Sequence, residues 1–259
     1  MNAFSYFRMA VLLIALAAVQ SAIVNTAHSL LFCGTDGSAF AGMNGQLAVI
    51  QTEGASTVGK VEIYNLTVPL NGITNSGEHL LTGQPQDVGD IAGNILRTVS
   101  DTKDPKVLAT FPPGDNSFSS LCCNEQMLVT PTSGIYHVHY SDSIQRISKN
   151  SGETEVVRTY PQSDVVGIAT DGTTIWISKW DDRQVGTWDP TTNTFTPIFT
   201  TPSNAGALAW DTANGVLWVG MEGGSVIPYS ATGEQLGNGF SPFGDLSGDT
   251  VDGLAFVAQ

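Results

Sequence analysis

The chain has 259 residues, 41% of them hydrophobic, enough for one large all-β domain or two smaller ones. Its 10 basic residues against 24 acidic ones give a formal net charge of −14, and no Lys/Arg cluster interrupts that excess. Such a surface repels phosphate backbones, which excludes nucleic acid as a partner.

Arg8 is the only charge in the first 30 residues, and it precedes the apolar run Met9–Val19, which gives way to Gln20-Ser21-Ala22. A basic flank, a short apolar core and small residues after it are the parts of a secretory signal. Residues 1–27 therefore read as a signal peptide cleaved between Ser21 and Ala27, or as an uncleaved apolar segment, and 28–259 as a single domain. As a membrane anchor the segment Met9–Val24 is interrupted at Gln20 and Ser21, and it falls short of the roughly 18 apolar residues that a span needs. Only an uncleaved segment would bring the chain to a membrane. The expected location is extracellular or periplasmic.

Beyond that segment, Gly and Pro number 28 and 12 in the whole chain, and almost no stretch has helical spacing, so turns and strands should dominate. The N-terminal third offers candidate strands at Gln46–Gln51, Val61–Asn65 and Glu78–Leu81, and Asn65-Leu66-Thr67 is an N-glycosylation sequon. Four segments then begin alike, at Asp87, Asn124, Asp164 and Asn204, in steps of 37, 40 and 40 residues. Each is expected to be the innermost strand of a small sheet. Second strands follow at Ile95–Val99, Ile135–Tyr140, Ile175–Trp180 and Val216–Met221. Leu108–Leu121 and Ile144–Val157 align without a gap to Val185–Ile198 as third and fourth strands. The Asp-Gly and Asn-Gly pairs at Asp171-Gly172 and Asn214-Gly215 are turns of the kind that join antiparallel strands.

A repeat of roughly 40–45 residues with four strands is the mark of a propeller blade. Val251–Val257 reads as one more first strand, and its neighbours must come from the N-terminal candidates. Pairing the two ends of the chain closes a ring and removes both free edges. The expectation is an all-β propeller of five blades, or six if Ser29–Phe40 and Asn71–Pro85 hold further strands.

The residues Gly167-Ile168-Ala169, Asp171-Gly172, Ile175-Trp176, Val185-Gly186-Thr187-Trp188-Asp189-Pro190 and Thr192-Asn193 carry a resemblance. This stretch resembles the repeat of streptogramin (virginiamycin B) lyase-like propellers, which is similar in turn to the NHL and SMP-30-like gluconolactonase repeats. The resemblance covers roughly Asp164 to Tyr229. It implies the fold. It also implies that acidic and amide side chains in the central channel are candidates for metal binding, and that His with Glu and Mg²⁺ is the lyase chemistry to look for.

In such a ring, Asp87, Asn124, Asp164 and Asn204 would stand around one mouth of the channel, with Asp252 beside them in the C-terminal copy. These five are the candidate ligand-binding residues, and Asp87, Asp164 and Asp252 the candidate metal ligands. Oxygen ligands from several blades converging on one axis suit Ca²⁺ or Mg²⁺. The alternative use of Asp and Asn at these places is to bond the backbone of the turn. His137 and His139 share one face of a predicted second strand, with Glu153 or Glu155 on the same blade. No Gly-x-Ser-x-Gly elbow, His-Glu-x-x-His or phosphate loop occurs, so hydrolase chemistry of those kinds is unsupported.

Cys33, Cys122 and Cys123 are an odd number of thiols, and in an oxidising compartment a bridge from Cys33 to one of the pair is expected, with one thiol left over. Of five tryptophans, Trp180, beside the Asp181-Asp182 turn, is the one expected at the surface, where it can stack on a sugar or enter a partner's pocket. The expected role is binding or assembly without chemistry of its own, through a protein or glycan partner or through self-association. A metal-dependent lyase or lactonase at the channel mouth and a subunit of a surface filament or coat are the alternatives.

Overall fold

The computed structural model describes residues 29–35, 45–65, 71–75, 80–83, 95–98, 106–110, 117–122, 126–132, 143–148, 154–159, 165–244 and 246–258. Their strands are β1 (Ser29–Thr35), β2 (Gln46–Glu53), β3 (Ser56–Asn65), β4 (Asn71–Asn75), β5 (Leu80–Gly83), β6 (Ile95–Thr98), β7 (Lys106–Thr110), β8 (Ser117–Cys122), β9 (Gln126–Thr132) and β10 (Ser143–Ser148). The second half follows as β11 (Thr154–Thr159), β12 (Val165–Thr170), β13 (Ile175–Lys179), β14 (Gln184–Asp189), β15 (Thr194–Thr200), β16 (Ala205–Asp211), β17 (Val216–Gly223), β18 (Val226–Ser230), β19 (Leu246–Thr250) and β20 (Gly253–Ala258).

These strands form five antiparallel sheets among the described residues. Three are simple meanders, the second sheet β4 to β7, the third β8 to β11 and the fourth β12 to β15, counting the closing sheet as the first. The fifth sheet is β16-β17-β18, with β19 paired to the far end of β17, and the closing sheet runs β20-β1-β2-β3. The first strands touch in a closed cycle, β4 to β8 to β12 to β16 to β20 and back to β4. The fold is a β-propeller. Its ends are tied as expected: β20 pairs with β1 from Ser29↔Ala258 to Gly34↔Gly253.

Packing between sheets explains the sequence of β17. Val216 and Trp218 face the closing sheet, with Leu31, Cys33, Ala48 and Ile50, while Leu217 and Val219 face the fourth sheet, with Trp176 and Val185. A strand buried on both faces reads as a continuous apolar run, as Val216–Met221 does. Burying a large side chain fully is worth about 1.5–3 kcal/mol, and Trp218, Leu31, Ile50 and Ile168 are all buried without remainder. A similar seam of Ile144, Ile168, Ile177 and Trp188 joins the third and fourth sheets.

The fourth and fifth sheets fall on the strands expected of them, and Ile144–Val157 supplies β10 and β11 as the expected third and fourth strands of the third sheet, but the second sheet and the start of the third are shifted. Asn124–Val129 was expected as a first strand, yet Gln126–Thr132 is the second strand of its sheet and Ser117–Cys122 the first. Ile95–Thr98 is a third strand where a second was expected, and Lys106–Thr110 a fourth where a third was expected. The strands displacing them are β4 and β5, both inside Asn71–Pro85. Likewise Ser29–Thr35 is the second strand of the closing sheet, whereas the Glu78–Leu81 candidate contributes to β5 of the next sheet. β4 pairs antiparallel with β5, and β8 with β9, so each of these pairs shares a sheet. Ile135–Tyr140, with His137 and His139, and residues 1–27 lie outside the described residues.

Candidate functional site

The hub is where the axial residues were expected to converge, and there the first strands approach one another closely. A methyl group added at Gly167 of β12 would lie 2.9 Å from the Leu208 side chain and 3.3 Å from the Ala207 carbonyl carbon of β16. One added at Gly253 of β20 would lie 2.7 Å from the Ile73 amide nitrogen and 2.9 Å from the Gly72 carbonyl carbon of β4. Gly253 is thus required by the approach of a neighbouring backbone, and Gly167 chiefly by the Ser178 hydroxyl, 2.6 Å from such a methyl, and the Leu208 side chain.

One buried side chain ties three of these strands together. β12 bulges between Val165 and Ile168, which takes the Gly167 N–H out of the ladder. Ser178 Oγ of β13, wholly buried, accepts that N–H at 2.7 Å and donates to the Ala205 carbonyl of β16 at 3.0 Å. The fifth sheet has the same bulge, between Ala205 and Ala207. There Gly220 takes the serine's place and the Val251 side chain fills the space over it.

The expected axial residues do not all share one position. Asn204 and Asp252 each precede a first strand, β16 and β20, and both are half-buried. Asp164 also precedes one, β12, but is outside the described residues. Asp87 and Asn124, likewise outside them, come before a third and a second strand, so the expected fourfold equivalence does not hold for those two. The backbone of Asn204 bonds within its own sheet, and that of Asp252 bonds both its own sheet and the next one. The Asn204 carbonyl accepts from the Glu222 N–H at 2.8 Å. The Asp252 N–H donates to the Gly34 carbonyl at 2.9 Å, and its carbonyl accepts from the Gly72 N–H at 3.0 Å. Among the described residues no three His, Cys, Asp or Glu side chains gather into a set able to hold a metal ion.

Aspartates at the other ends of the strands fasten turns, a role signalled by Asp-Gly-Thr-Thr, Asp-Pro-Thr-Thr and Asp-Thr-Ala-Asn in the sequence. Asp171 accepts from the Thr173 and Thr174 amides at 2.8 and 2.6 Å, and the buried Asp211 from the Ala213 and Asn214 amides at 2.9 and 3.0 Å. Asp189 accepts from the Thr192 hydroxyl and the Thr191 amide, both at 2.8 Å, and these bonds hold its carboxyl below the usual range.

Beside Asp189 lies an open groove of about 470 Å³ on the fourth sheet, lined among others by Thr174, Thr187, Thr192, Thr194 and Thr196. Thr187 pairs across the sheet with Thr196, and Asp189 with Thr194, so strand alternation puts these four on one face. On the same rung as Thr187 stands Trp176, which stacks on Trp210 of the fifth sheet with ring centroids 4.5 Å apart. The groove therefore offers hydroxyls and one carboxylate on a floor fixed by core packing.

The remaining expected residues are dispersed. Trp180 is half-buried, as is Trp210, while Trp176, Trp188 and Trp218 are buried. Asn65, at the end of β3, is exposed and accepts a bond from Gln46 Nε2 at 2.7 Å. Cys33 is a free thiol, wholly buried between the closing and fifth sheets, and the expected bridge is not formed. Cys122 stands on a first strand two sheets away around the ring, and Cys123 is outside the described residues.

No protein-family model matches the chain, and no curated protein matches it. Among solved structures it is similar to a chain of a nidogen/laminin complex, at 11% identity and a TM-score of 0.56, over 88% of this chain and 98% of that one. It is also similar to a structural-genomics protein of unknown function from Bacteroides thetaiotaomicron VPI-5482, at 14% identity and a TM-score of 0.45, over 74% and 55% of the two chains. At such identities the first likeness is one of fold: the neighbour from the nidogen/laminin complex is a β-propeller.

Proposed function

We propose that the chain is an exported five-bladed propeller that works by binding or assembly and has no chemistry of its own. The observation that carries this reading is the hub, where Gly253 lets β20 meet the β4 backbone and Gly167 makes room for Ser178 and Leu208. The polar surface offered to a ligand then lies on the sheets, as in the threonine-lined groove beside Asp189. A propeller of similar fold was crystallised as part of a nidogen/laminin complex, which lends support to a protein partner. The apolar run after Arg8 supports export.

The test is a glycan and protein binding screen on the purified chain, followed by calorimetry on each partner found. Thr187→Val should weaken a groove ligand while leaving the melting curve nearly unchanged, whereas Asp189→Ala should weaken the ligand and also cost the turn about 0.5–2 kcal/mol. A chain that takes no partner and stays monomeric at every concentration would argue against the reading.

The positions of Asp164 and Asp252 ahead of β12 and β20 favour a second reading, a Ca²⁺- or Mg²⁺-dependent lyase or lactonase at the channel mouth. It requires turnover of small lactones or esters that chelation abolishes, and metal content that falls in Asp164→Ala.

A further inference from the structure

Closing the ring leaves each sheet with an outer edge, and the described edges are treated differently. In the fifth sheet β18 is covered by the stretch Gln235–Phe240, through the bridges Tyr229↔Gln235 and Val226↔Phe240. In the fourth sheet β15 carries Pro197, which has no N–H to offer an incoming strand, and exposes threonines. The closing sheet ends in β3, ten residues long, paired only to β2 among the described residues and free of proline. Val61 and Ile63 are 40% and 48% exposed on it, two of the three large hydrophobic side chains exposed among the described residues.

The sequence of β3 is complementary to itself. In an antiparallel pair of copies related by a two-fold axis through Val61, Lys60 of each copy stands opposite Glu62 of the other. Val61 then meets Val61, and Ile63 faces Gly59, where there is no side chain to obstruct it. Thr57 to Asn65 are all paired, and one face carries a continuous row of Ile63, Val61, Val61 and Ile63 from the two copies. Sliding the register by two residues in either direction sets Glu62 against Glu62 or Lys60 against Lys60, and like charges directly opposite are destabilising. Glu62 also accepts the Tyr64 hydroxyl at 2.7 Å.

We propose that the chain forms a two-fold symmetric dimer by antiparallel pairing of β3 with β3, in the register that sets Lys60 against Glu62. The occupant of this edge is a second copy, because the charge pattern matches its own reverse. The contact is isologous and closes at two subunits. This proposal rests on the assembly reading above.

Sedimentation equilibrium on the whole chain tests it. The wild type should show a concentration-dependent dimer. Lys60→Glu and Glu62→Lys each place like charges opposite one another twice per dimer, and each should weaken association roughly tenfold. The chain carrying both substitutions, and an equimolar mixture of the two single variants, should regain wild-type association, because opposite charges again face each other. A wild type that is monomeric at 100 µM (about a hundredfold above a micromolar Kd) overturns the dimer, as does an association that neither single reversal alters. A monomer that still takes a ligand in the fourth-sheet groove would overturn the pairing while leaving the binding reading standing.

Discussion

Replacing Ser178 by alanine should cost the propeller more than any other loss of a single oxygen in its described part. The hydroxyl accepts the Gly167 N–H at 2.7 Å and donates to the Ala205 carbonyl at 3.0 Å, at a site with no exposed surface. Alanine keeps nearly the same volume and strands both groups. An unpaired buried polar group costs about 1–3 kcal/mol, so the pair should cost about 2–6 kcal/mol in total. In a chain of this size each kcal/mol is worth about 2–4 °C, which puts the loss in Tm at roughly 4–24 °C. Urea unfolding followed by tryptophan fluorescence measures it, since Trp176 and Trp188 lie in the same sheet. Thr194→Ala, which removes an exposed hydroxyl, is the control and should stay within about 0.5 kcal/mol. Hydrogen exchange gives an independent readout: the Gly167 amide should lose protection before the β13–β14 ladder does. A change below about 0.5 kcal/mol at constant m, with the Gly167 amide still protected, would refute the idea that this hydroxyl joins the sheets.

Gly253→Ala forces a methyl against the Ile73 nitrogen at 2.7 Å, and since backbone must move to admit it the cost should reach about 3 kcal/mol, seen as a lower Tm with early exchange of the β20–β1 amides. Asp211→Ala removes three bonds, to the Ala213 and Asn214 amides and to Asn214 Nδ2. The comparable loss of a capping side chain costs about 0.5–2 kcal/mol, to be read from urea midpoints, with Asp211→Asn milder. Burial pushes the Cys33 thiol well above its ordinary pKa. Its contribution to stability is therefore complete below the pKa of a free thiol, about 8.5, and is lost as pH rises from there toward the raised folded value. Cys33→Ala should flatten that alkaline decline, and the native thiol should react with a disulfide reagent only as fast as the protein opens.

How much of this was legible in the sequence depended on what marks a strand. The fourth and fifth sheets could be read because Gly167-Ile168-Ala169 and Ala207-Leu208-Ala209 stand at the same place in two copies of one pattern, each followed by a tight turn and an apolar second strand. Ser117–Cys122 is also a first strand, but it lacks that pattern, and nothing local distinguishes it from a second or fourth strand. Asn124, one hairpin later, has the look of the missing strand's start. An Asp or Asn before a strand announces a turn, whichever hairpin that turn belongs to, and so the second sheet and the start of the third slipped by one strand. The same ambiguity governs the candidate site: Asp87 and Asn124 look like Asp164 and Asn204 in sequence but precede strands of different rank. The Ser178 link was invisible for another reason. A lone serine in Ile175–Lys179 has no pattern, and its partners, Gly167 and Ala205, are defined by a bulge and by the next sheet.

Ring closure decides where a partner can be met. Joining β20 to β1 brings the C-terminal strand into the hub cycle, and the Asp252 backbone and Gly253 lock it against β1 and β4. That satisfies the inner strands completely, and the closer they pack the less of them a partner can reach. The outer strands gain nothing from closure, so each must be protected by its own sequence, as β15 is by Pro197 and β18 by Gln235–Phe240. β3 lacks both devices and exposes Val61 and Ile63. Because long uncovered strands with apolar side chains associate unless something prevents it, selection for a soluble monomer would be expected to break this one with a proline or a repeated charge. Its sequence instead matches its own reverse, with Lys60 set to meet Glu62, as an edge kept for one partner should.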